Sequence, residues 1–203
     1  MNKSNDHGLW TIPNLLTMLR IVLIPVFVVV FYLPFEWARI ACTVVFALAG
    51  FTDWLDGYLA RRWQQSSPLG AFLDPVADKL MVAVALILLI EADPTPILAL
   101  PCAIIIGREI TISALREWMA EIGSRAQVAV SIIGKLKTAM QMAAIGFLIF
   151  KEDIWGIPVT IIGYVLLYVA AILTLWSMVV YLRAAWPTLS GQHNENKERG
   201  NEK

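Results

Sequence analysis

Long apolar stretches, separated by short polar connections, dominate the sequence. Each stretch contains about 20 mostly apolar residues, which is the length that an α-helix needs to cross the hydrocarbon layer at ~1.5 Å per residue. Six such stretches predict six transmembrane helices, over residues 15–33, 38–55, 69–90, 97–115, 128–150 and 157–182. The pattern therefore predicts an all-α, polytopic membrane protein.

The composition agrees with that prediction. Hydrophobic residues make up 58% of the 203 residues, and the mean hydropathy of +0.66 exceeds what a soluble core of this size requires. The first stretch contains Arg20, and no small-residue cleavage pattern follows it, which argues against a secretory signal. Because the formal net charge is zero, nothing indicates bulk attraction to nucleic acid, and we expect no nucleic-acid partner.

Basic residues near the ends of the predicted helices indicate the orientation. They cluster at alternate ends, which is the bias expected of cytoplasmic connections. The cluster comprises Arg61, Arg62, Arg116, Arg125, Lys135 and Lys137, against Arg39 and Lys151 at the other ends. We therefore expect both termini in the cytoplasm. We also expect one membrane domain over residues 1–188, with a short interfacial helix before the first span, and a polar, disordered tail over 189–203.

A polar stripe runs along the start of the first predicted helix. Asn14, Thr17 and Arg20 follow one another at three-residue spacing, which places them on one side of that helix. Two interpretations remain open from the sequence. The stripe could face a hydrated cavity, or it could be the interfacial start of the helix, with the Arg20 guanidinium reaching the headgroups.

Four aspartates lie in or beside the second and third predicted helices, where an ionisable group costs roughly 3 kcal/mol on insertion scales. Asp53 and Asp56 share one helical face at i and i+3, and Asp74 and Asp78 share another at i and i+4. Because the connection between these helices is short, we expect the four carboxylates to converge. Four such charges need cations, and carboxylates without His or Cys suit hard ions, so we predict two Mg²⁺ or Mn²⁺ ions.

The aspartates belong to a longer motif, D-x2-D-G-x2-A-R-x8-G-x3-D-x3-D, spelled by Asp53, Asp56, Gly57, Ala60, Arg61, Gly70, Asp74 and Asp78. This motif resembles the signature of the CDP-alcohol phosphatidyltransferases. The resemblance implies that the four aspartates bind the metal ions and that Asp78 also takes the proton of the acceptor hydroxyl. It further implies that cytidine diphosphate is bound by Asp56, Gly57, Ala60, Arg61 and Gly70.

A second group of polar residues interrupts the fourth and fifth predicted helices. The group comprises Arg108, Arg116, Lys135, Lys137 and Thr138, near the cytoplasmic side. Buried cations are costly there unless an anion meets them, so we interpret the group as a pocket for an acceptor that carries a phosphate. For Arg116 and Lys137, a purely topological role remains an alternative.

Glycerol 3-phosphate is the phosphate-bearing acceptor that the resemblance implies. The strings T-I-P-N-L-L-T-M-L-R, R-E-I-T-I-S-A-L-R-E-W and G-K-L-K-T resemble those of family members that use it. The resemblance then implies transfer of a phosphatidyl group from CDP-diacylglycerol with release of CMP. It also implies a homodimer in the bacterial inner membrane, with the active site facing the cytoplasm.

Two alternatives remain open from the sequence. The first keeps the reaction and changes the acceptor, for example to inositol phosphate or phosphatidylglycerol. The second is a divalent-cation transporter, in which the aspartates would be a transit site and a polar path would continue through the outer half of the helices. Those halves are almost purely apolar, which argues against transport.

Overall fold

The computed structural model describes residues 12–63, 68–122, 132–153 and 155–189. This part of the chain forms α1 (Ile12–Phe31), α2 (Ala38–Trp63), α3 (Pro68–Ala92), α4 (Pro96–Glu121), α5 (Ile132–Phe150) and α6 (Val159–Leu189). The all-α prediction is confirmed, and the six helices follow the six apolar stretches in order. The predicted interfacial segment before residue 12 and the tail beyond residue 189 lie outside the described residues.

Four of these helices are long and apolar enough to cross a membrane. Their candidate spans are Asn14–Phe31, Ala38–Leu59, Pro96–Glu121 and Val159–Trp186. Among the residues whose side chains the structure describes, the apolar part of α5 covers Leu136–Phe150. In α3, Asp74, Asp78 and Lys79 interrupt the apolar stretch. The chain is therefore a helical membrane protein, and charged residues account for the difference from the predicted span in α3.

The core lies at the centre of the bundle, and every helix contributes at least one large apolar side chain to it. Phe27, Phe46, Leu86, Ile105, Ile145 and Leu167 come from α1 to α6 in turn, and none is more than 2% exposed. Other large apolar side chains, such as Val29, Ile87 and Ile161, point outward and are exposed. An apolar exterior of this kind is the surface that a lipid bilayer solvates.

The order of packing places α1 beside both acid-bearing helices. α1 lies along α2 and α3, whereas α2 and α3 touch each other over less of their length. α5 and α6 pack as a long pair, and α4 packs along α6. We call the end of the bundle that contains Asp56 and Asp74 the aspartate end, and the end formed by the connections 32–37, 93–95 and 151–158 the opposite end.

Candidate active site

The four aspartates lie together at the aspartate end, as their spacing predicts. Asp56 is buried, Asp53 and Asp74 are half-buried, and Asp78 is exposed. Asp56 interacts electrostatically with both Asp53 and Asp74, and Asp78 interacts with Asp53. The carboxylates of α2 and α3 therefore form one group, which we call the acid cluster.

Arg20 of α1 inserts its guanidinium into this acid cluster. Its side chain is only 1% exposed, with Nη2 2.5 Å from Oδ2 of Asp56 and Nη1 3.0 Å from Oδ1 of Asp53. One turn earlier on the same face, the Thr17 hydroxyl donates a hydrogen bond to Asp74. The polar stripe of α1 therefore faces the acids, and the interpretation in which Arg20 reaches the headgroups is wrong.

The residue types of the acid cluster suit a hard divalent ion, because all four donors are carboxylates. Their present arrangement is not a ligand set. Within the described part of the chain, no three Asp, Glu, His or Cys side chains are grouped closely enough to hold an ion. The Arg20 guanidinium supplies positive charge between Asp53 and Asp56 instead. The two-metal site, with its four ligands and Asp78 as base, therefore stays a prediction.

The residues predicted to bind cytidine diphosphate follow the acids along the same two helices. Gly57 is half-buried in α2 and Gly70 is buried in α3, beside the acid cluster. The side chains of Ala60 and Arg61 lie outside the described residues. Hydrogen in place of a side chain at Gly57 and Gly70 leaves space for a bulky ligand near the carboxylates, and their binding role stays a prediction.

A second polar cluster joins α4 and α5 around Glu109. Oε1 of Glu109 lies 2.6 Å from Nζ of Lys137 and 3.0 Å from Nη1 of Arg108. Both cations are buried, and Glu109 is half-buried. Glu109 also interacts electrostatically with Asp78 of the acid cluster. We call the group of Glu109, Arg108 and Lys137 the cationic cluster. Lys137 and Arg108 are therefore brought together, and Lys137 is no simple surface anchor.

α6 completes the cationic cluster with two side chains. Nη2 of Arg108 donates a hydrogen bond of 3.1 Å to the Ser177 hydroxyl. The guanidinium carbons of Arg108 and Arg116 lie 5.7 Å and 5.1 Å from the centre of the Tyr181 ring. Cations over an aromatic face are held electrostatically by the ring, so Tyr181 orients both arginines. Arg116 itself is exposed.

The structure does not place the other two residues predicted to bind the acceptor, Thr138 and Lys135, in the cationic cluster. Thr138 is exposed, and its hydroxyl donates a hydrogen bond of 3.0 Å to the Gly134 carbonyl of its own helix. That contact is local to α5, so the described structure gives Thr138 no partner in the cluster. The side chain of Lys135 lies outside the described residues.

The cationic cluster continues inward as buried polar side chains that the sequence argument did not single out. Gln141 lies one turn beyond Lys137 on α5, and Thr174 lies one turn before Ser177 on α6. Gln141 Oε1 and Thr174 Oγ1 are buried and have no hydrogen-bond partner within the described residues. Such atoms are costly unless a ligand or water reaches them, so this inner side is suited to a polar guest.

Sequence reasoning missed roles for Glu109, Ser177 and Tyr181. For Glu109 there was a usable signal, because an acid beside Arg108 within an apolar helix needs a cationic partner. Ser177 and Tyr181 gave no such signal. Hydroxyl groups in a long apolar helix are common, and only the packing of α6 on α4 shows which cations they meet.

Comparison with known proteins identifies the family of this chain. The family model of the CDP-alcohol phosphatidyltransferases matches residues 10–176. The chain belongs to the CDP-alcohol phosphatidyltransferase family. The match to this phosphatidyltransferase family includes the acid cluster and most of the cationic cluster, and it ends just before Ser177.

Curated members of the CDP-alcohol phosphatidyltransferase family include close relatives of this chain. It is 56% identical over 176 residues to a protein of Salmonella paratyphi A, covering 87% of this chain and 95% of the relative. It is 54% identical over 183 residues to a protein of Shigella flexneri serotype 5b, covering 90% and 99%. Both relatives are named CDP-diacylglycerol--glycerol-3-phosphate 3-phosphatidyltransferase.

Proposed function

We infer that this protein transfers the phosphatidyl group of CDP-diacylglycerol to the 1-hydroxyl of sn-glycerol 3-phosphate, giving phosphatidylglycerol phosphate and CMP. The relatives' names support this activity over most of the chain. The observation that carries the inference is the presence of an acid cluster and a cationic cluster in one bundle, with an electrostatic interaction between Asp78 and Glu109. The first suits the activated donor, and the second suits an acceptor that brings its own phosphate.

The acid cluster supports the donor side of the reaction. Asp53, Asp56, Asp74 and Asp78 would hold two Mg²⁺ or Mn²⁺ ions. When bound, these ions would neutralise the charge on the attacking and leaving oxygens of an in-line displacement at phosphorus. Gly57 and Gly70 carry no side chain, which suits the approach of a nucleotide beside these carboxylates.

Asp78 is suited to accept the proton of the acceptor hydroxyl. Its carboxylate is exposed, and it interacts electrostatically with Asp53 of the acid cluster and with Glu109 of the cationic cluster. We propose a single displacement in a ternary complex, because His7 and His193 lie in polar ends of the chain, far in sequence from any candidate nucleophile in the site.

The cationic cluster supports the acceptor side. Arg108 and Lys137 are buried and share the Glu109 carboxylate as their one ion-pair partner among the described residues, so this group of three carries a net positive charge. A phosphate entering beside them would gain charge-assisted hydrogen bonds from both cations. The unpartnered atoms of Gln141 and Thr174 would meet the hydroxyl groups of the same ligand.

The apolar helices and the bacterial relatives support a place in the bacterial inner membrane. We propose that all six helices cross it, since α3 and α5 pack within the same bundle as the four longer spans. The positive-inside bias favours an aspartate end in the cytoplasm, together with both termini. The homodimer implied by the family resemblance stays a prediction.

The test uses purified full-length protein with CDP-diacylglycerol, glycerol 3-phosphate and Mg²⁺, and it measures CMP release. Asp78→Asn should abolish release, while Asp153→Asn, which removes an exposed carboxylate at the opposite end, should leave it unchanged. Thermal unfolding of both variants checks that the fold is intact. Equal activity of the Asp78→Asn variant would overturn its catalytic role.

A panel of acceptors tests the substrate separately. We expect release with glycerol 3-phosphate and little with inositol phosphate, serine or phosphatidylglycerol. If one of those alternatives supported release and glycerol 3-phosphate did not, the acceptor assignment would be wrong and the family reaction would remain.

A further inference from the structure

A cavity of about 620 Å³ lies at the opposite end of the bundle from the acid cluster. All six helices or their connections contribute residues to its lining. This volume falls within the range of sites that hold a small organic ligand. Because none of the reacting groups lines the cavity, a ligand there would not be a substrate of the proposed reaction.

The walls of the cavity change from apolar to charged toward its mouth. Its lining includes the core residues Cys42, Leu98 and Leu148, all buried. The lining also includes a charged rim formed by Arg39, Lys151, Glu36 and Glu152. An apolar interior beneath a ring of charges suits an amphipathic guest.

The charged side chains of this rim form no ion pairs in the described part of the chain. Arg39, Lys151, Glu36 and Glu152 are all exposed. Asp93, which also lines the cavity, differs because it accepts a hydrogen bond of 2.7 Å from the Tyr164 hydroxyl. The rim thus offers two free cations and two free carboxylates.

Lys151 occupies a backbone position that favours glycine. It follows the last residue of α5 with φ 59°, and its N–H donates a hydrogen bond of 3.0 Å to the Phe147 carbonyl. Glycine at this position after a helix avoids the cost of a Cβ in the left-handed region. A lysine at this position, with its side chain on the rim, therefore favours a binding role for the ammonium group.

Aromatic side chains place the cavity mouth at the depth of lipid headgroups. Phe35 and Trp37 stack beside it with ring centres 5.5 Å apart, and both rings are about half exposed. Trp155, in the connection that follows Glu152, is 98% exposed. Tryptophan prefers the interface between hydrocarbon and water, so these rings mark that layer.

We propose that this cavity binds one phospholipid with a zwitterionic headgroup, a phosphate diester bearing a primary ammonium. The phosphate would lie between Arg39 and Lys151, the ammonium would meet Glu36 or Glu152, and the first acyl carbons would enter the apolar interior. A headgroup with a net negative charge would satisfy the cations and leave both carboxylates facing it without a partner. The carboxylates beside the two cations therefore favour a headgroup that carries an ammonium as well as a phosphate.

The experiment places the full-length protein in nanodiscs that contain equal amounts of phosphatidylethanolamine and phosphatidylglycerol with identical acyl chains. Native mass spectrometry after release into detergent counts the lipids that stay bound. The variants are Arg39→Gln, Lys151→Gly and the double change Glu36→Gln with Glu152→Gln. Arg183→Gln is the matched control, because it removes an exposed cation at the other end of the bundle. Lys151→Gly also suits the local backbone, so loss of lipid cannot be attributed to misfolding.

We expect the unmodified protein to retain phosphatidylethanolamine in preference to phosphatidylglycerol. Arg39→Gln and Lys151→Gly should each weaken that retention about tenfold, the usual effect of losing one charge-assisted hydrogen bond. The double glutamine variant should lose the preference, and Arg183→Gln should behave as the unmodified protein. Equal retention of the two lipids, or equal loss in the control, would overturn the proposal.

A separate arm distinguishes a lipid from a free phosphate. Excess inorganic phosphate during detergent release should leave the bound phosphatidylethanolamine in place, because the acyl carbons contribute to its binding. Displacement by phosphate would overturn the lipid assignment. CMP release by the rim variants is measured in parallel and should be unchanged, so the failure of this proposal and the failure of the proposed reaction are distinguishable.

Discussion

At the scale of single residues, the acid cluster depends on a helix that its own motif does not include. Arg20 of α1 pairs with Asp53 and Asp56, and Asp56 is buried with it. Removing charges from water is costly, and the attraction between them offsets that cost only while both partners are present. The buried carboxylate and the buried guanidinium therefore require each other whenever no other cation is near.

This dependence predicts the effect of Arg20→Met. Without metal, the variant should lose roughly 3 kcal/mol of stability, because it leaves the buried Asp56 carboxylate without its partner. Added Mg²⁺ should restore much of the loss if the acid cluster binds the ion. Chemical denaturation of the purified protein, with chelator and with Mg²⁺, measures both effects. Arg20→Lys, which keeps the charge, should lose less stability. If Arg20→Met lost the same stability with and without Mg²⁺, the idea that Arg20 and the ion both neutralise the acid cluster would be wrong.

Glu109 gives a second prediction at this scale. Glu109→Gln keeps the shape of the side chain but removes the charge that holds Lys137 and Arg108. We expect the KM for glycerol 3-phosphate to rise about tenfold, because the cations lose the group that positions them, and the KM for CDP-diacylglycerol to change little. Steady-state kinetics in both substrates measure this. Glu117→Gln, an exposed change on the same helix, is the control. An unchanged KM for glycerol 3-phosphate would show that Glu109 does not position the cations.

At the scale of helices, the apolar stretches predicted every described element but not its full length. α2 continues to Trp63, past the apolar limit at residue 55, and α4 continues to Glu121, past residue 115. In both helices the added residues include charged side chains. They still form helix, because they lie beyond the predicted hydrocarbon layer but remain part of the bundle. Hydropathy detects the bilayer and not the end of the helix.

The packing order was the part that the sequence could not supply. Spacing correctly placed the acids of α2 and α3 on facing sides, but it did not predict that α1 would lie along both helices. That arrangement brings Thr17 to Asp74 and Arg20 to Asp56. The same limit applies to Tyr181, since its partners are more than sixty residues away in sequence. Long-range neighbours depend on how the helices assemble, which local periodicity does not encode.

The close contact of α5 and α6 predicts a stability difference between two glycine variants. A Cβ at Gly163 would lie 2.9 Å from Cγ of Leu148, a branched carbon in the core. We expect Gly163→Ala to destabilise the protein by about 1–3 kcal/mol, because a packed leucine cannot move aside freely. Gly107→Ala is the control, since nothing lies within 4 Å of a Cβ there. Thermal unfolding should show a lower midpoint for Gly163→Ala and an unchanged midpoint for Gly107→Ala. Equal midpoints would contradict tight packing of α5 against α6 at Gly163.

At the scale of the whole molecule, the bundle is divided by an apolar layer. Phe46, Leu86, Ile105 and Ile145 lie along their helices between the polar clusters and the cavity of the opposite end, and all are buried. An ion crossing from the acid cluster would have to pass these side chains without any polar ligand, which is prohibitively costly. The layer favours an enzyme whose chemistry is confined to one membrane face over a cation transporter.

The proposed orientation predicts which face that is. In intact cells, an impermeant maleimide should label Asp153→Cys at the opposite end immediately, and Glu121→Cys at the aspartate end only after the membrane is permeabilised. Both positions are exposed, whereas the native Cys42 and Cys102 are at most 1% exposed, so the unmodified protein serves as the blank. The expectation follows from the basic residues near the aspartate end, which resist transfer across the membrane during insertion. Immediate labelling of Glu121→Cys, with protection of Asp153→Cys, would reverse the orientation and put the acid cluster on the outer face, out of reach of a cytoplasmic substrate.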